Sequence, residues 1–228
     1  FAQPAAGPSP RTSFSGLQLV ALDLLLSLVE RMAARHENVL PDTEGSSLQS
    51  TLRARRERKS LLAAGAAAFN HKPKDGIAFL AEQNLLAHSG RERARSIAYF
   101  LKDSPLVDKR LLGDYISRAE NVDVLAEFID LFDFRECDVA EAMRALCEAF
   151  RLPGEAQQIA RVTETFARKY FSTKPPGIRS EDAVYVLAYS IIMLNTDLHN
   201  PQVTRRMSTA DYQRNLRGVN DGADFDQE

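Results

Sequence analysis

The sequence predicts an all-α fold, and three observations carry that prediction. Apolar residues return at spacings of three and four, as in Val139, Met143, Leu146, Cys147 and Phe150, and again in Ile159, Val162, Phe166 and Tyr170. Residues suited to start a helix stand just ahead of such runs, among them Asp108, Asp138, Ser180 and Ser208. No stretch alternates apolar and polar residues over strand length, and no hairpin turn joins two such stretches. The pattern accommodates about nine or ten helices of one to four turns, joined by short polar loops. Their unequal lengths and irregular spacing exclude a regular repeat array.

Taken in order, Phe1–Ser13 carries Pro4, Pro8 and Pro10 among Ala, Gly and Ser, the composition of a disordered or linker lead-in over 1–14. Leu17 to about His36 reads as a helix with leucine and valine on more than one face, so it calls for a large partner surface. Pro41, Asp42, Gly45, Ser46 and Ser47 form a break, which separates an upstream segment, 15–49, from a main domain, 50–228. A helix from about Leu48 to Ala68 opens on Arg53, Arg55, Arg56, Arg58 and Lys59 and turns apolar at Leu61, Leu62, Ala66 and Phe69. The basic run is either a solvated face or a patch drawn to anionic lipid, and Glu57 weakens the second reading.

Asn70–Gly76 reads as a loop in which Asp75 caps a short helix running through Leu80 to about Asn84. Further starts are Ser89 before Ile97, Phe100 and Leu101, Asp108 before Leu111, Leu112 and Ile116, and Asn121 or Asp123 before Leu125, Phe128 and Ile129. Asp138 with Glu141, and Ser208 with Asp211, have capping-box spacing. Glu181–Leu198, after Ser180, is apolar nearly all round, which predicts burial on most sides. Asn220–Asp226 holds several acids but lacks the acid spacing and mid-loop glycine of a calcium loop, so it reads as a surface turn.

The chain has 228 residues, enough for one large domain or one domain with an accessory segment, and a net charge of −2. That charge supplies no global field to recruit nucleic acid or an acidic membrane. The two cysteines, Cys137 and Cys147, form no CxxC pair and no metal signature, and read as reduced thiols of an intracellular protein. Leu17–Val29 is broken by Asp23 and Ala183–Leu194 is too short, against the ~20 apolar residues a membrane span needs. The chain begins at Phe1 without a signal-peptide pattern, so it reads as a fragment of a longer polypeptide.

The chemistry gathers at Phe150-Arg151-Leu152-Pro153-Gly154-Glu155-Ala156-Gln157, a corner between two helical stretches. Pro153 cannot continue the first helix, Leu152 is pushed to extended geometry, and Gly154 is expected to supply a turn that a Cβ would hinder. Glu155 then stands at the start of the next helix, where an acid has a purely local explanation: it favours the positive helix end by about 0.3–1 kcal/mol. Farther on, Tyr185, Tyr189, Met193 and Thr196, with Ile192 beside them, share a stripe that reads on its own as core, with locally bonded tyrosines. Asn195, Asp197, His199 and Asn200 crowd the end of that helix ahead of Pro201, and no third or fourth ligand joins Asp197 and His199 in a metal pattern. An acid at a helix C-terminus disfavours the helix, which hints at a binding role for Asp197.

With Ala188-Tyr189-Ser190-Ile191-Ile192-Met193-Leu194-Asn195-Thr196-Asp197-Leu198-His199-Asn200-Pro201 downstream, the Phe150–Gln157 stretch resembles the two signature motifs of the Sec-seven domain, the exchange module for Arf GTPases. Phe69–Gly76 with Ile77 and Leu80 matches that domain's opening, and the resemblance covers roughly Leu52 to the end. It implies a right-handed superhelix of short helices closed by a smaller C-terminal group, to which Leu17–His36 adds an extra helix. Because the chain stops at Glu228, soon after Gly222, that last group reads as incomplete.

The resemblance also implies function: release of GDP from an Arf-family GTPase without covalent chemistry or cofactor, supporting vesicle coat recruitment by a cytoplasmic protein held peripherally on Golgi membranes. Glu155 takes the catalytic place, and Tyr185, Tyr189, Ile192, Met193, Asn195, Thr196, Asp197 and Asn200 take the GTPase-binding groove. Asp211–Asn220, followed by Gly222, Asp224 and Phe225, is more similar to the large early-Golgi members, while Leu198 and Pro201 depart from some of them. Tyr189, Ser190, Asp197 and Met207 are the residue types of members sensitive to brefeldin A. Two other readings are open on the residues alone. Glu155 as general acid of a hydrolase lacks a partner carboxylate or nucleophile, whereas a non-catalytic helical scaffold needs neither.

Overall fold

The computed structural model describes residues 25–27, 29 and 44–225. Among them are nine α-helices and one 3-10 turn, with no strand beyond a single bridge between Asn220 and Ala223. The lead-in 1–14 and most of the predicted Leu17–His36 helix lie outside the described residues. Residues 25–27 and 29 are helical, and Leu25, Leu26 and Val29 are exposed.

The chain divides into two compact units, Phe1–Glu57 and Arg58–Glu228. Helix α1, Glu44–His71, starts earlier and ends later than the sequence predicts. Gly45, Ser46 and Ser47 lie inside it rather than in a break, because continuing a nucleated helix through glycine costs only about 1 kcal/mol. Its basic stretch is exposed, with Arg53 paired to Glu57 at 3.1 Å. The predicted Asn70–Gly76 loop shrinks to Lys72, which is the N-cap of α2, Pro73–Glu82. Proline at the first helical position loses no hydrogen bond, so the chain re-enters a helix at once. Asp75 therefore sits in the first turn, not at the cap, and pairs with Lys72 at 3.1 Å.

Helices α3, Gly90–Asp103, α4, Lys109–Ile116, and α5, Val122–Asp130, follow, with the 3-10 turn Ala119–Asn121 before α5. Asp108 accepts from the Arg110 and Leu111 N–H groups, while Ser89 and Asn121 occupy N-cap positions without a side-chain cap bond. Helices α6, Val139–Ala149, and α9, Thr209–Asn215, open on full capping boxes, Asp138 with Glu141 and Ser208 with Asp211. Between them lie α7, Ala156–Phe171, and α8, Glu181–His199.

The core lies in the second unit. Phe69 meets Tyr115 edge-on at 5.4 Å, Phe128 meets Phe150 at 5.9 Å and Phe134 meets Phe166 at 5.3 Å. Each such ring is buried, a gain of about 1.5–3 kcal/mol against exposure. Helix α3 packs on α5, α5 on α7, and α7 on α8, with α6 also against α8. The corner between α6 and α7 is thus rooted in the core by helices on both sides.

Candidate functional site

The corner is built from the inside out. Phe150 is fully buried, Pro153 is buried and Leu152 packs partly against the core. The Arg151 N–H donates to the Lys109 carbonyl at 3.0 Å, and Lys109 Nζ donates to the Glu148 carbonyl at 2.7 Å. One expectation fails here. Gly154 is not among the positive-φ residues, and a Cβ built on it meets nothing within 4 Å. The turn comes from extended Phe150, φ −149° and ψ 164°, and from the proline, which leaves Gly154 to bare the surface beside Glu155. A glycine that is sterically required against this corner lies on α4: a Cβ on Gly113 would overlap the Arg151 carbonyl and stand 3.2 Å from the Phe150 ring.

Glu155 is exposed and is the N-cap of α7. Its carbonyl accepts from the Gln158 and Ile159 N–H groups at 3.0 Å each, yet its carboxylate makes no cap hydrogen bond. The carboxylate Oε2 instead accepts from Gln158 Nε2 at 2.9 Å. Gln158 Oε1 in turn accepts from the hydroxyl of buried Ser117 at 3.1 Å, and the Arg161 guanidinium donates to the Ser117 carbonyl. No sequence signal within a few residues points to Ser117, which lies 41 positions before Gln158.

Helix α8 departs from its predicted burial. Only Ala183, Val184 and Ala188 are buried, Tyr185, Tyr189 and Ile192 are half-buried, and Met193 is 55% exposed. Small side chains let α8 approach the core along a narrow line, so its remaining apolar surface stays open. Tyr185 and Tyr189 stack with centroids 6.0 Å apart, and among the described residues neither hydroxyl bonds to a protein group. Thr196 donates to the Ile192 carbonyl at 2.9 Å, Asn195 is exposed, and Asn200 caps the helix while its Oδ1 accepts from the Gln202 N–H at 3.0 Å. The helix end carries Leu198, 45% exposed, and exposed His199.

Past that end the chain folds back. The Arg206 guanidinium donates to the Asp197 carbonyl at 3.0 Å and to the Leu198 carbonyl, and Asp197 Oδ2 accepts from the Met207 N–H at 2.8 Å. A cation on the terminal carbonyls offsets the cost of an acid there, so Asp197 has a partner within the chain. Ser190 donates to the Leu187 carbonyl at 2.7 Å, which leaves its oxygen to accept from the Tyr212 hydroxyl at 2.9 Å. The structure thus joins Asp197 to Met207 directly, and joins Ser190 to α9 through a tyrosine that the sequence reading left out.

The start of the predicted Asn220–Asp226 turn, whose last residue lies outside the described residues, is more tied down than expected. Asn220 is 2% exposed, donates to the Gly177 carbonyl at 2.7 Å and accepts from the Arg179 N–H at 2.8 Å. A cavity of about 890 Å³, lined in part by Leu187, Ile191, Leu194, Tyr212, Leu216 and Phe225, runs along another flank of α8, and no predicted groove residue lines it. Among the described residues no three His, Cys, Asp or Glu side chains gather to hold a metal, and no helix is long and apolar enough to cross a membrane.

The corner carries an exposed carboxylate, and α8 carries half-buried Tyr185, Tyr189 and Ile192 with exposed Met193. The sequence model of the Sec7 domain matches residues 58–228. The chain is 45% identical over 183 residues to the brefeldin A-inhibited guanine nucleotide-exchange protein 2 of Arabidopsis thaliana, covering 79% of this chain. It is 39% identical over 191 residues to a Golgi-specific brefeldin A-resistance guanine nucleotide exchange factor 1 homolog of Caenorhabditis elegans, covering 82% of this chain. The chain spans only 10% and 9% of those two relatives. Its fold matches a Sec7 domain solved with ARF1-GDP and brefeldin A, with TM-score 0.69, 42% identity and coverage of 76% of this chain and 87% of that one.

Proposed function

The chain belongs to the Sec7 domain family, and from that premise we propose that it accelerates GDP release from an Arf-family small GTPase, with Glu155 as the acting group. The observation that carries this reading is the carboxylate of Glu155: it stands exposed at a helix N-cap and makes no cap bond. The local roles of the acid are then its general attraction to the helix end and the bond it accepts from Gln158 Nε2. What remains is a negative charge held outward on a corner rooted in the core.

A small GTPase holds the GDP phosphates with a lysine and Mg²⁺. A carboxylate alongside competes for the lysine, disfavours the metal and repels the β-phosphate. One unit charge at about 4 Å and an effective dielectric near 20 is worth about 4 kcal/mol, close to a thousandfold in rate. No bond forms or breaks, so the group needs placement rather than a tuned pKa. Tyr185, Tyr189, Ile192, Met193, Asn195, Thr196, Asp197 and Asn200 supply the docking surface, with apolar side chains at its centre and polar ones at the α8 end.

The relatives' names support the setting. One is a Golgi-specific factor and another is brefeldin A-inhibited, which fits a cytoplasmic protein peripheral to Golgi membranes that promotes coat recruitment there. The test is release of fluorescent GDP from an Arf GTPase with and without the chain. Acceleration by the parent, and its loss in Glu155→Lys, is the expected result; equal rates in both overturn the role of Glu155.

A further inference from the structure

We infer that Ser117 and Gln158 are positioning residues, a relay that aims the Glu155 carboxylate without neutralising it. The inference rests on the proposed role of Glu155 and adds the question of what holds its side chain. Three distances define the relay: Ser117 hydroxyl to Gln158 Oε1 at 3.1 Å, Gln158 Nε2 to Glu155 Oε2 at 2.9 Å, and Ser117 hydroxyl to the Asp114 carbonyl at 3.5 Å.

The direction of the relay follows from donor and acceptor chemistry. A carboxylate only accepts, so Gln158 must turn its NH₂ toward Glu155 and its carbonyl oxygen away. That oxygen meets the Ser117 hydroxyl, whose residue is 0% exposed and whose other acceptor, at 3.5 Å, is too distant for a strong bond. The carboxylate fixes the orientation of the amide, and the buried hydroxyl holds the amide there by donating to its oxygen. Ser117 is itself held, because its carbonyl accepts from Arg161 on the same helix as Gln158.

A neutral donor suits the task. An arginine or lysine in place of Gln158 would orient Glu155 more strongly but would cancel the charge that has to reach the nucleotide site. An amide donates one hydrogen bond, restricts the rotamers of an exposed glutamate and leaves one carboxylate oxygen free. The relay thus lowers the conformational cost of delivering the charge while leaving its sign intact.

The experiment measures GDP release from an Arf GTPase over a range of GTPase concentrations, so that kcat and KM separate. It uses the whole chain as parent and with Gln158→Leu, Ser117→Ala and Glu155→Ala, plus the Glu155→Ala/Gln158→Leu double variant. The expected result is a fall of about tenfold in kcat for Gln158→Leu, the size of one hydrogen bond to a charged group, with KM unchanged. Ser117→Ala shows a smaller fall of the same kind, and Gln158→Leu has no further effect once Glu155 is alanine. A kcat effect of Gln158→Leu that persists in full beside Glu155→Ala, or unchanged kcat in both relay variants, overturns the relay. A Glu155→Ala chain that exchanges as fast as the parent instead overturns the functional reading beneath it, so the two failures are distinct.

Discussion

A Cβ on Gly113 would overlap the carbonyl oxygen of Arg151, so the middle of α4 and the corner ahead of Glu155 touch backbone to backbone. The Gly113→Ala variant turns this contact into a signed test. In an unhindered helix interior the change gains up to about 1 kcal/mol through better helix propensity. Here the added methyl has to push the Arg151 peptide away, and overpacking of this kind costs about 1–3 kcal/mol. Thermal unfolding should show a lower Tm for Gly113→Ala, with slower GDP release; a raised Tm would mean that the corner does not rest on α4.

Reversing the charge at Glu155 should separate function from folding. Glu155 is exposed and makes no cap bond, so Glu155→Lys should keep the fold and lower stability by only about 1–2 kcal/mol, the cost of a cation in place of an acid at the helix start. Release should fall by about a thousandfold, the figure for one unit charge, because repulsion of the β-phosphate becomes attraction. A stalled complex with GDP still bound to the GTPase is expected in size-exclusion runs of the lysine variant, and its absence alongside normal release would remove the electrostatic mechanism.

The open face of α8 gives a groove test that burial does not confuse. Met193 is 55% exposed, so Met193→Ala should hardly alter stability, whereas Tyr185→Ala and Ile192→Ala remove half-buried side chains that also pack against the core. All three should weaken the GTPase complex by about 1–3 kcal/mol if the stripe is an apolar anchor. Affinity for nucleotide-free GTPase, compared among variants whose melts match, reads this directly. An unchanged Kd for Met193→Ala would shift the groove off this stripe.

What the sequence disclosed and what it hid divide by range. Asp138 with Glu141 and Ser208 with Asp211 were legible because a capping box is a three-residue device. Ser117 was not, since its partner Gln158 is 41 positions away and neither residue stands in a pattern of its own. Gly154 misled for a related reason: a Pro-Gly pair announces a turn, but φ is decided by what the surrounding helices leave room for, and the glycine crowded against the corner proved to be Gly113. In α8 the obstacle was the composition itself. A helix apolar nearly all round gives no phase to its periodicity, so the sequence predicted burial on most sides where only Ala183, Val184 and Ala188 are buried.

The α9 capping box makes a pH prediction. Hydrogen bonds from the Ser208 hydroxyl, at 2.6 Å, and its N–H, at 3.3 Å, hold the Asp211 carboxyl below the usual carboxylate range. A depressed folded-state pKa contributes stability that is present above the unfolded value and lost as pH falls through the folded one. Helix α9 should therefore fray on acidification below the ordinary aspartate range, and take the Tyr212 to Ser190 bond with it. Amide protection in 209–215, taken relative to the intrinsic exchange rate at each pH, should fall at low pH in the parent and be low already at neutral pH in Asp211→Ala. Equal protection in both at neutral pH would show that the box does not hold the helix.

Brefeldin A sensitivity is the last prediction, and the structure sharpens its controls. The family resemblance implies that Tyr189, Ser190, Asp197 and Met207 are the residue types of sensitive members. A drug caught at a protein interface needs an apolar cavity with a few placed polar groups, and a ring, two hydroxyls, a carboxylate and an adaptable thioether meet that need. Two of these groups are already engaged: Asp197 accepts from the Met207 N–H at 2.8 Å, and the Ser190 hydroxyl meets Tyr212 at 2.9 Å. Tyr189→Phe with Ser190→Ala should confer resistance while leaving exchange largely intact, since both changes remove a hydroxyl with little change in shape. Tyr212→Phe breaks the same Ser190 contact but keeps the Ser190 hydroxyl, so this variant should stay sensitive. Exchange is measured with and without the drug at several concentrations of Arf–GDP in all three chains. Inhibition of the parent that holds or deepens as Arf–GDP rises is the expected uncompetitive pattern. Inhibition that fades would mean simple competition, resistance of Tyr212→Phe would trace the effect to the α9 contact rather than to the drug's own hydrogen bond, and an uninhibited parent would show that the four residues do not suffice.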